Sequence, residues 1–315
     1  MSPLRRFALW VLGYHVTVAL WGALVRATGS GAGCGAHWPL CNGTVVPTSP
    51  AAQTLIEFIH RVMSGVALLF VAGLVLWTFR ALPRGHQGRK AATASGVFVV
   101  FEALVGAALV LFGWVAKDAS TGRGGAVVVH LSNTFLLLAS IALTSALVDN
   151  PGTITVRGRA PLAAALGLGL TTILVSGATG AVAALGDTLY PVASLAEGLA
   201  RDVGDQTPFL LRLRLVHPFA SLAAALVSVV IARAVLKARD PRLKGLALQL
   251  LVLVGLQVLA GALNLGLLAP IPLQIVHLAL ADFTWITLVL LSAAALSGAP
   301  EQEEQQHAGR AAFGA

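Results

Sequence analysis

Four histidines in this sequence share one setting, close to the start of a long apolar run. They are His60, His130, His217 and His277. Ionisable side chains inside a membrane span are costly and by default mark functional sites. Two imidazoles that face each other across a helix bundle are what bis-histidine haem ligation requires. The order along the chain predicts two pairs, His60 with His130 and His217 with His277.

A carboxylate stands beside the first of these histidines. Glu57 precedes His60 by three residues, so the two side chains lie one turn apart on the same face of a helix. A carboxylate in that place can accept a proton or stabilise positive charge that develops near an iron ligand. Two other acidic residues, Glu102 and Asp282, fall inside apolar runs, and we expect them to hydrogen-bond across helices.

The elements that must position these residues are membrane spans. The chain has 315 residues, of which 57% are hydrophobic and 11% charged, and its mean hydropathy is +0.84. Soluble domains carry about 25% charged residues, and a span needs roughly 20 mostly apolar residues. We therefore predict an all-α polytopic membrane protein with eight transmembrane helices. The predicted spans are 7–26, 54–79, 91–115, 127–148, 161–185, 210–236, 245–268 and 271–296.

The net charge of +8 does not indicate a nucleic-acid partner. The basic residues lie in short loops between spans and form no stripe on a soluble face. Loops on one side hold more Lys and Arg than those on the other, and this bias sets orientation in a membrane. We expect a multi-pass protein of the cell membrane, surrounded by lipid, with both termini cytoplasmic. The first apolar run is as long as a span and is not followed by a signal-peptide cleavage site.

Spans one to four and five to eight read as a parallel repeat of four helices. Three pairs of motifs align: His60-x-x-x-Ser64 with His217-x-x-x-Ser221, Val129-His130-Leu131 with Val276-His277-Leu278, and Glu102-x-x-x-Gly106-Ala107 with Gln257-x-x-x-Gly261-Ala262. Four spans per unit preserve orientation, so the halves should be related by an axis along the membrane normal. We predict halves at 1–150 and 151–300, divided at Asn150-Pro151-Gly152, and a disordered cytoplasmic tail at 301–315.

The only two cysteines, Cys34 and Cys41, lie in a Gly-rich loop after the first span. In an oxidising outer compartment a disulfide is the simplest outcome, and closing so short a loop is worth about 2–3 kcal/mol in the chain-entropy model. Two free thiols are one alternative. A metal site with His37 is another, although it lacks an obvious fourth ligand. In the longest outer loop, residues 192–200 are expected to form a short interfacial helix.

At these residues the chain resembles the haem A synthase family, in particular the bacterial members with a cysteine pair in the first outer loop. That family oxidises the C8 methyl of haem O to a formyl group by successive hydroxylations, and it contains a haem b cofactor. The motifs that carry the resemblance are Arg26-Ala27-Thr28-Gly29-Ser30-Gly31, Trp38-Pro39-Leu40-Cys41-Asn42-Gly43, Glu57-Phe58-Ile59-His60-Arg61 and the later histidines.

The resemblance implies a division of labour between the halves. His217 and His277 would ligate haem b, and His60 and His130 would hold the substrate haem, with Glu57 as the catalytic carboxylate beside its reacting edge. The cysteines would form a disulfide that shapes the site or exchanges with a thiol partner. A haem O synthase is the implied substrate donor, and the electron acceptor is left open.

Three arginines lie at a depth that suits ion pairs with haem propionates, namely Arg61, Arg212 and Arg214. A snorkelling role is the alternative at each of them. The halves are not equivalent here, because Pro218 follows His217 where Arg61 follows His60. Arg214 also stands at the position that aligns with Glu57.

Two other classes of protein share parts of this pattern. A di-haem electron-transfer subunit like a membrane cytochrome b would use the four histidines, but it gives no role to Glu57 or to the cysteine loop. A transporter with proton-relay histidines would bind no haem and would be colourless.

Overall fold

The computed structural model describes residues 1–48, 50–149, 153–204 and 209–297. Within these residues eight helical segments are long and apolar enough to cross a membrane, which confirms the predicted number of spans. The helices are α1 (Pro3–Ala27), α2 (Ala52–Ala81), α3 (Gln87–Leu111), α4 (Thr121–Leu147), α5 (Ala160–Leu189), α6 (Leu195–Val203), α7 (Phe209–Arg214), α8 (Val216–Ala238), α9 (Pro241–Gly266) and α10 (Ile271–Leu296). The sixth span runs through α7 and α8.

Several spans begin four to six residues earlier than their apolar runs predicted, because polar capping residues decide where a helix starts. The Ser120 hydroxyl accepts a hydrogen bond from the backbone N–H of Arg123 and begins α4 at Thr121. Asp240 likewise accepts from the N–H of Arg242 and begins α9. Such caps satisfy backbone donors that a helix start leaves without a partner. The first turns they create are polar, so a hydropathy pattern misses them.

The sixth span is divided at Leu215, where a single helix was predicted. Pro218 explains the division. Proline has no backbone N–H, and its ring clashes with the carbonyl four residues earlier, which here belongs to Arg214. The hydrogen-bonded ladder therefore stops at Arg214 and resumes at Val216, so His217 lies in the first turn of α8.

The short helix expected in the longest loop is present as α6, shifted by about three residues from the prediction. It begins after Ser194, whose hydroxyl accepts a hydrogen bond from the N–H of Glu197. One face exposes Leu195, Leu199 and Val203, which recur every four residues. This amphipathic pattern is typical of a helix that lies along a membrane surface.

The eight spans form two rings of four helices. The first ring is closed by contacts of α1 with α2, α2 with α3, α3 with α4, and α4 with α1. The second has the same order, with α5, α8, α9 and α10 in the corresponding places. The rings meet through α1, α4, α5 and α10, and one core cluster of buried apolar residues draws on both. The predicted boundary at Asn150-Pro151-Gly152 and the tail 301–315 lie outside the described residues, so the division there stays a prediction.

Two side chains join the rings directly. The Arg26 guanidinium, at the end of α1, donates to the Ala184 carbonyl (2.5 Å) and the Thr188 hydroxyl (2.7 Å) on α5, and to Gln274 Oε1 (2.9 Å) on α10. Deeper in the bundle, Trp285 of α10 stacks on Phe135 of α4 with 5.4 Å between ring centroids. The Trp285 indole N–H also donates to the Phe135 carbonyl (2.6 Å).

Arg26→Met tests this junction, because it keeps most of the side-chain volume and removes all three donated hydrogen bonds. Hydrogen bonds from a charged donor contribute about 1.5–3 kcal/mol each, and the loss is partly offset by water. We expect the free energy of unfolding to fall by about 2–4 kcal/mol in an SDS titration of the detergent-solubilised protein. Arg6→Met is the control, since Arg6 is exposed. Equal stability of the two variants would contradict a joining role for Arg26.

Candidate functional site

The structure brings His217 and His277 together across the second ring of helices. Their ring centroids are 6.4 Å apart and their planes are nearly perpendicular, at 82°. Metal–imidazole bonds are about 2 Å long, so two imidazoles that share one iron need their ring centres roughly 6 Å apart. The separation of this pair fits bis-histidine ligation.

Glycines on neighbouring helices make room for three of the four histidine rings. A Cβ added to Gly180 would lie 2.9 Å from Cε1 of His217, and one added to Gly261 would lie 3.2 Å from Cε1 of His277. In the first ring, a Cβ on Gly22 would lie 3.1 Å from Cε1 of His60. The rings therefore occupy space that any side chain at these positions would take. Such small residues permit close packing in membrane bundles.

Sequence reasoning missed Gly22 and Gly180, and it used Gly261 only as part of a repeat motif. A signal was present in the sequence, because each odd-numbered span contains a Gly-Ala dipeptide. These are Gly22-Ala23, Gly106-Ala107, Gly180-Ala181 and Gly261-Ala262. Gly106 is the exception in the structure, since a Cβ there meets no described atom within 4 Å.

In the C-terminal pair both nitrogens of His217 have protein partners, since the Ser221 hydroxyl lies 3.3 Å from Nδ1 and 3.4 Å from Nε2, whereas His277, within the part of the chain that the structure describes, has a partner at one nitrogen only. Nδ1 of His217 lies 3.1 Å from the Ser176 carbonyl oxygen, and Nε2 of His277 lies 3.4 Å from Nε2 of Gln257. Nδ1 of His277 and Nδ1 of His60 are buried with no hydrogen-bond partner among the described residues. Buried polar atoms are normally paired, so free nitrogens beside glycine-made space fit residues that hold a ligand.

Glu57 is held in place by contacts from two directions. Its side chain is buried, and the residue is only 3% exposed. Oε1 accepts from the Arg61 guanidinium at 2.5 and 3.1 Å, and Oε2 accepts from the backbone N–H of Cys34 at 2.8 Å. Arg61 also donates to the carbonyl oxygens of His37 and Leu40, both at 2.6 Å. The carboxylate is thereby tied to the cysteine loop.

Cys34 and Cys41 form the predicted disulfide, with an S–S distance of 1.99 Å. This pairing excludes the two alternatives left open by the sequence, free thiols and a metal site with His37. Among the residues that the structure describes, no three His, Cys, Asp or Glu side chains are grouped so as to hold a metal ion. The disulfide closes the loop covalently, and the loop contacts both Glu57 and Arg61 through its backbone.

The three arginines predicted near haem propionates have different surroundings. Arg61 is engaged with Glu57 and the loop, as described above. Arg214 forms ion pairs with Asp187 (2.9 Å) and Asp202 (2.6 Å), whereas the Arg212 side chain is exposed. Contacts of these residues with propionates stay a prediction. Arg214 aligns with Glu57 in the repeat, and both residues form ion pairs. The aligned position therefore carries the acid of an ion pair in the first half and the base of one in the second.

The two buried acidic residues behave differently. Glu102 hydrogen-bonds across helices as expected, accepting from the Asn133 amide and the Thr134 hydroxyl of α4. Its Oε1 also lies 3.3 Å from Nδ1 of His130, close enough for an ion pair but not aligned as a hydrogen bond. For Asp282 the expectation was wrong, because neither carboxylate oxygen has a partner among the described residues.

Comparison with known proteins places these features in one family. The family model described as "Cytochrome oxidase assembly protein", COX15-CtaA, matches residues 5–289. A protein of Thermus thermophilus named "Protoheme IX farnesyltransferase" is 46% identical over 311 residues, which cover 98% of this chain and 51% of that protein. The chain thus spans about half the length of such relatives.

Proteins named "Heme A synthase" match a shorter stretch. The one from Alkalihalophilus pseudofirmus is 36% identical over 136 residues, or 43% of each chain. The one from Halalkalibacterium halodurans is 37% identical over 138 residues, which cover 44% of this chain and 43% of that protein.

Gly180→Ala tests whether the space beside a histidine matters. The new Cβ would lie 2.9 Å from the His217 ring, and real Cβ atoms rarely come that close, so the ring must shift. We expect the purified variant to lose at least half of any low-spin haem absorbance while α-helix content stays unchanged by circular dichroism. Gly255→Ala is the matched control, since a Cβ on Gly255 meets open space. Full haem absorbance in Gly180→Ala would show that the space left by Gly180 is not needed for haem binding at His217.

Proposed function

The chain belongs to the COX15-CtaA family of cytochrome oxidase assembly proteins, and from that premise we propose that it is a haem A synthase. In this proposal it oxidises the C8 methyl of haem O to a formyl group by successive hydroxylations. The observation that carries the proposal is the buried Glu57 carboxylate, held one turn from His60 by Arg61 and the N–H of Cys34. The alternative, a di-haem electron-transfer subunit, gives no chemical role to a carboxylate beside His60.

His217 and His277 would hold haem b in the second ring of helices. Their 6.4 Å separation and the free Nδ1 of His277 support this assignment. Gly180 and Gly261 leave room for the rings, and the Ser176 carbonyl orients His217. When bound, haem b supplies one-electron redox chemistry. Ring orientation by backbone and side-chain partners tunes a metal ligand in other proteins, and the same role is proposed for Ser176 here.

His60 and His130 would hold haem O, the substrate, in the first ring. Gly22 leaves room for the His60 ring, and the His60 nitrogen Nδ1 has no protein partner among the described residues. Both histidines lie within the first three turns of their helices, α2 and α4. The substrate would therefore lie near the membrane face that carries the disulfide loop, within reach of Glu57.

Glu57 would act on the methyl group that is oxidised. Conversion of a methyl to a formyl group breaks two C–H bonds, adds one oxygen atom and passes four electrons to an external acceptor, and the protons that are released make a fixed proton acceptor useful. Arg61 and the Cys34 N–H hold the carboxylate in one position, which removes the need to reorganise during the reaction. Because the site is buried, the carboxylate interacts with developing positive charge more strongly than it would in water.

The disulfide loop and the membrane setting complete the proposal. The loop would shape the substrate site through Arg61, whose guanidinium contacts the His37 and Leu40 carbonyls, or exchange with a thiol partner. We place the protein in the cell membrane with cytoplasmic termini. We also propose that a haem O synthase delivers the substrate. The relatives about twice this length carry a name that describes farnesyl transfer to protohaem IX, and haem O is a farnesylated haem.

The proposal is tested by chromatography of haems extracted from cells that co-express this chain with a source of haem O. We expect a haem A peak that is absent from cells carrying the empty vector. Haem O alone, together with a purified protein that contains two low-spin haems, would favour the di-haem electron-transfer subunit instead. A colourless purified protein would point to the transporter.

Glu57→Gln is the sharpest single test of the catalytic assignment, because it removes the charge and keeps the size. General acid–base catalysis contributes about 10²–10⁴-fold, so we expect haem A output to fall at least about 100-fold, with the hydroxylated intermediate accumulating. Haem b content should be unchanged. Glu197→Gln is the matched control, since Glu197 pairs with Arg201 at the same i,i+4 spacing in α6. Normal haem A output from Glu57→Gln would remove Glu57 from the mechanism.

A further inference from the structure

The polar groups beside His130 differ from those beside its repeat counterpart, His277. In the first ring the carboxylate of Glu102 on α3 lies 3.3 Å from Nδ1 of His130 on α4. In the second ring the amide of Gln257 on α9 lies 3.4 Å from Nε2 of His277 on α10. Glu102 and Gln257 occupy aligned positions in the repeat. One histidine therefore has a negatively charged neighbour where the other has a neutral one.

Glu102 is held in this position by groups that the second ring lacks. The Asn133 amide donates to Oε2 and the Thr134 hydroxyl donates to Oε1. Asn133 is itself 4% exposed and also donates to the Phe98 carbonyl at 3.0 Å, which fixes its orientation. These two donors stabilise the ionised form of the carboxylate at a depth where a bare charge is costly.

The corresponding positions in α10 are Leu280 and Ala281, counted from the aligned histidines. Neither side chain has a hydrogen-bond donor. A carboxylate placed at Gln257 would therefore find no equivalent support. The two donors and the acid occur together in the first ring, and both donors are missing from the second, where a neutral amide replaces the acid. The acid and its two donors are thus present together in one half and absent together from the other, which points to one functional difference between the halves.

We propose that Glu102 is a positioning residue for His130, which orients its imidazole and increases its donation to the substrate iron. The inference rests on the proposed function, since it takes His130 as an iron ligand. A carboxylate beside the far nitrogen of a metal-bound imidazole fixes the ring and raises its basicity. A stronger donor stabilises the more oxidised iron. The iron held in the first ring should thus have a lower reduction potential than it would have with a neutral amide, such as that of Gln257, beside its histidine. The two haems would then differ in reduction potential although both have two histidine ligands.

Glu102→Gln reproduces the neutral neighbour of the second ring and is the principal test. The purified protein is titrated with haemin, and binding in the first ring is followed by difference absorbance. We expect a 10- to 100-fold weaker affinity, the usual cost of losing such a partner, and an upward shift of that haem's midpoint potential. The haem at His217 and His277 should keep its absorbance and potential, so it reports correct folding within the same molecule. Glu197→Gln again serves as the control.

Two further variants keep the proposal open to failure if Glu102→Gln is poorly expressed. Thr134→Val removes one donor to the carboxylate and should shift the first haem in the same direction by a smaller amount. Gln257→Glu introduces the acid into the second ring and should lower the midpoint potential of the haem at His277.

The outcomes separate this inference from the proposed function. Unchanged affinity and potential in Glu102→Gln, with both haems bound, would overturn the role of Glu102 and leave the haem A synthase assignment standing. Loss of both haems in Glu102→Gln would show that the residue maintains the fold generally, which also overturns it. A wild-type protein that binds no haem in either ring would instead overturn the proposed function.

Discussion

An imidazole inside an apolar helix bundle needs space next to the adjoining helix, and glycine provides that space here. Gly22, Gly180 and Gly261 each face a histidine ring on a neighbouring helix. In three helix pairs, α1 with α2, α5 with α8 and α9 with α10, one member thus carries the glycine and the other carries the histidine ring. Interiors are close-packed, so the position of each ring is set by the helix opposite as much as by its own helix. The His217–His277 separation depends on this packing.

The two rings of helices keep that packing and change the charges around it. Near the disulfide loop, the first ring has the pair Glu57 and Arg61 where the second has Arg214 with Asp187 and Asp202. The second histidine of the first half, His130, lies beside the acid Glu102, whereas the second histidine of the second half, His277, lies beside the amide Gln257. A duplicated scaffold can thus hold two similar groups in two different electrostatic environments. In the function proposed above, these differences would suit the first half to chemistry on a bound molecule.

The eight spans and the disulfide could be predicted from the sequence, because long apolar runs and a single pair of cysteines are strong signals. Eight apolar runs, four histidines near the starts of even-numbered spans and a single pair of cysteines leave few alternatives. Other features depend on contacts between distant parts of the chain. Arg61 lies one turn from Glu57 and could be foreseen as its partner, but the Cys34 N–H reaches the same carboxylate only once the loop has folded.

The sequence also misled in places, for identifiable reasons. The predicted starts of α4 and α9 were late because capping by Ser120 and Asp240 extends the helices into polar residues. The break at Leu215 follows from Pro218. The prediction of one continuous helix did not take into account that a proline disrupts the hydrogen bond to the carbonyl four residues earlier. Asp282 was expected to find a partner and has none among the described residues. No pattern in a single sequence distinguishes it from Glu102, whose donors come from another helix.

The acceptors of Arg26 have a consequence for biogenesis. They lie 158 to 248 residues further along the chain, on α5 and α10. During synthesis the first helix is made before those groups exist, so the three hydrogen bonds of Arg26 can form only after α5 and α10 have been synthesised. The contacts of α1 are therefore completed by helices of the other ring, which makes the assembly of the two rings interdependent.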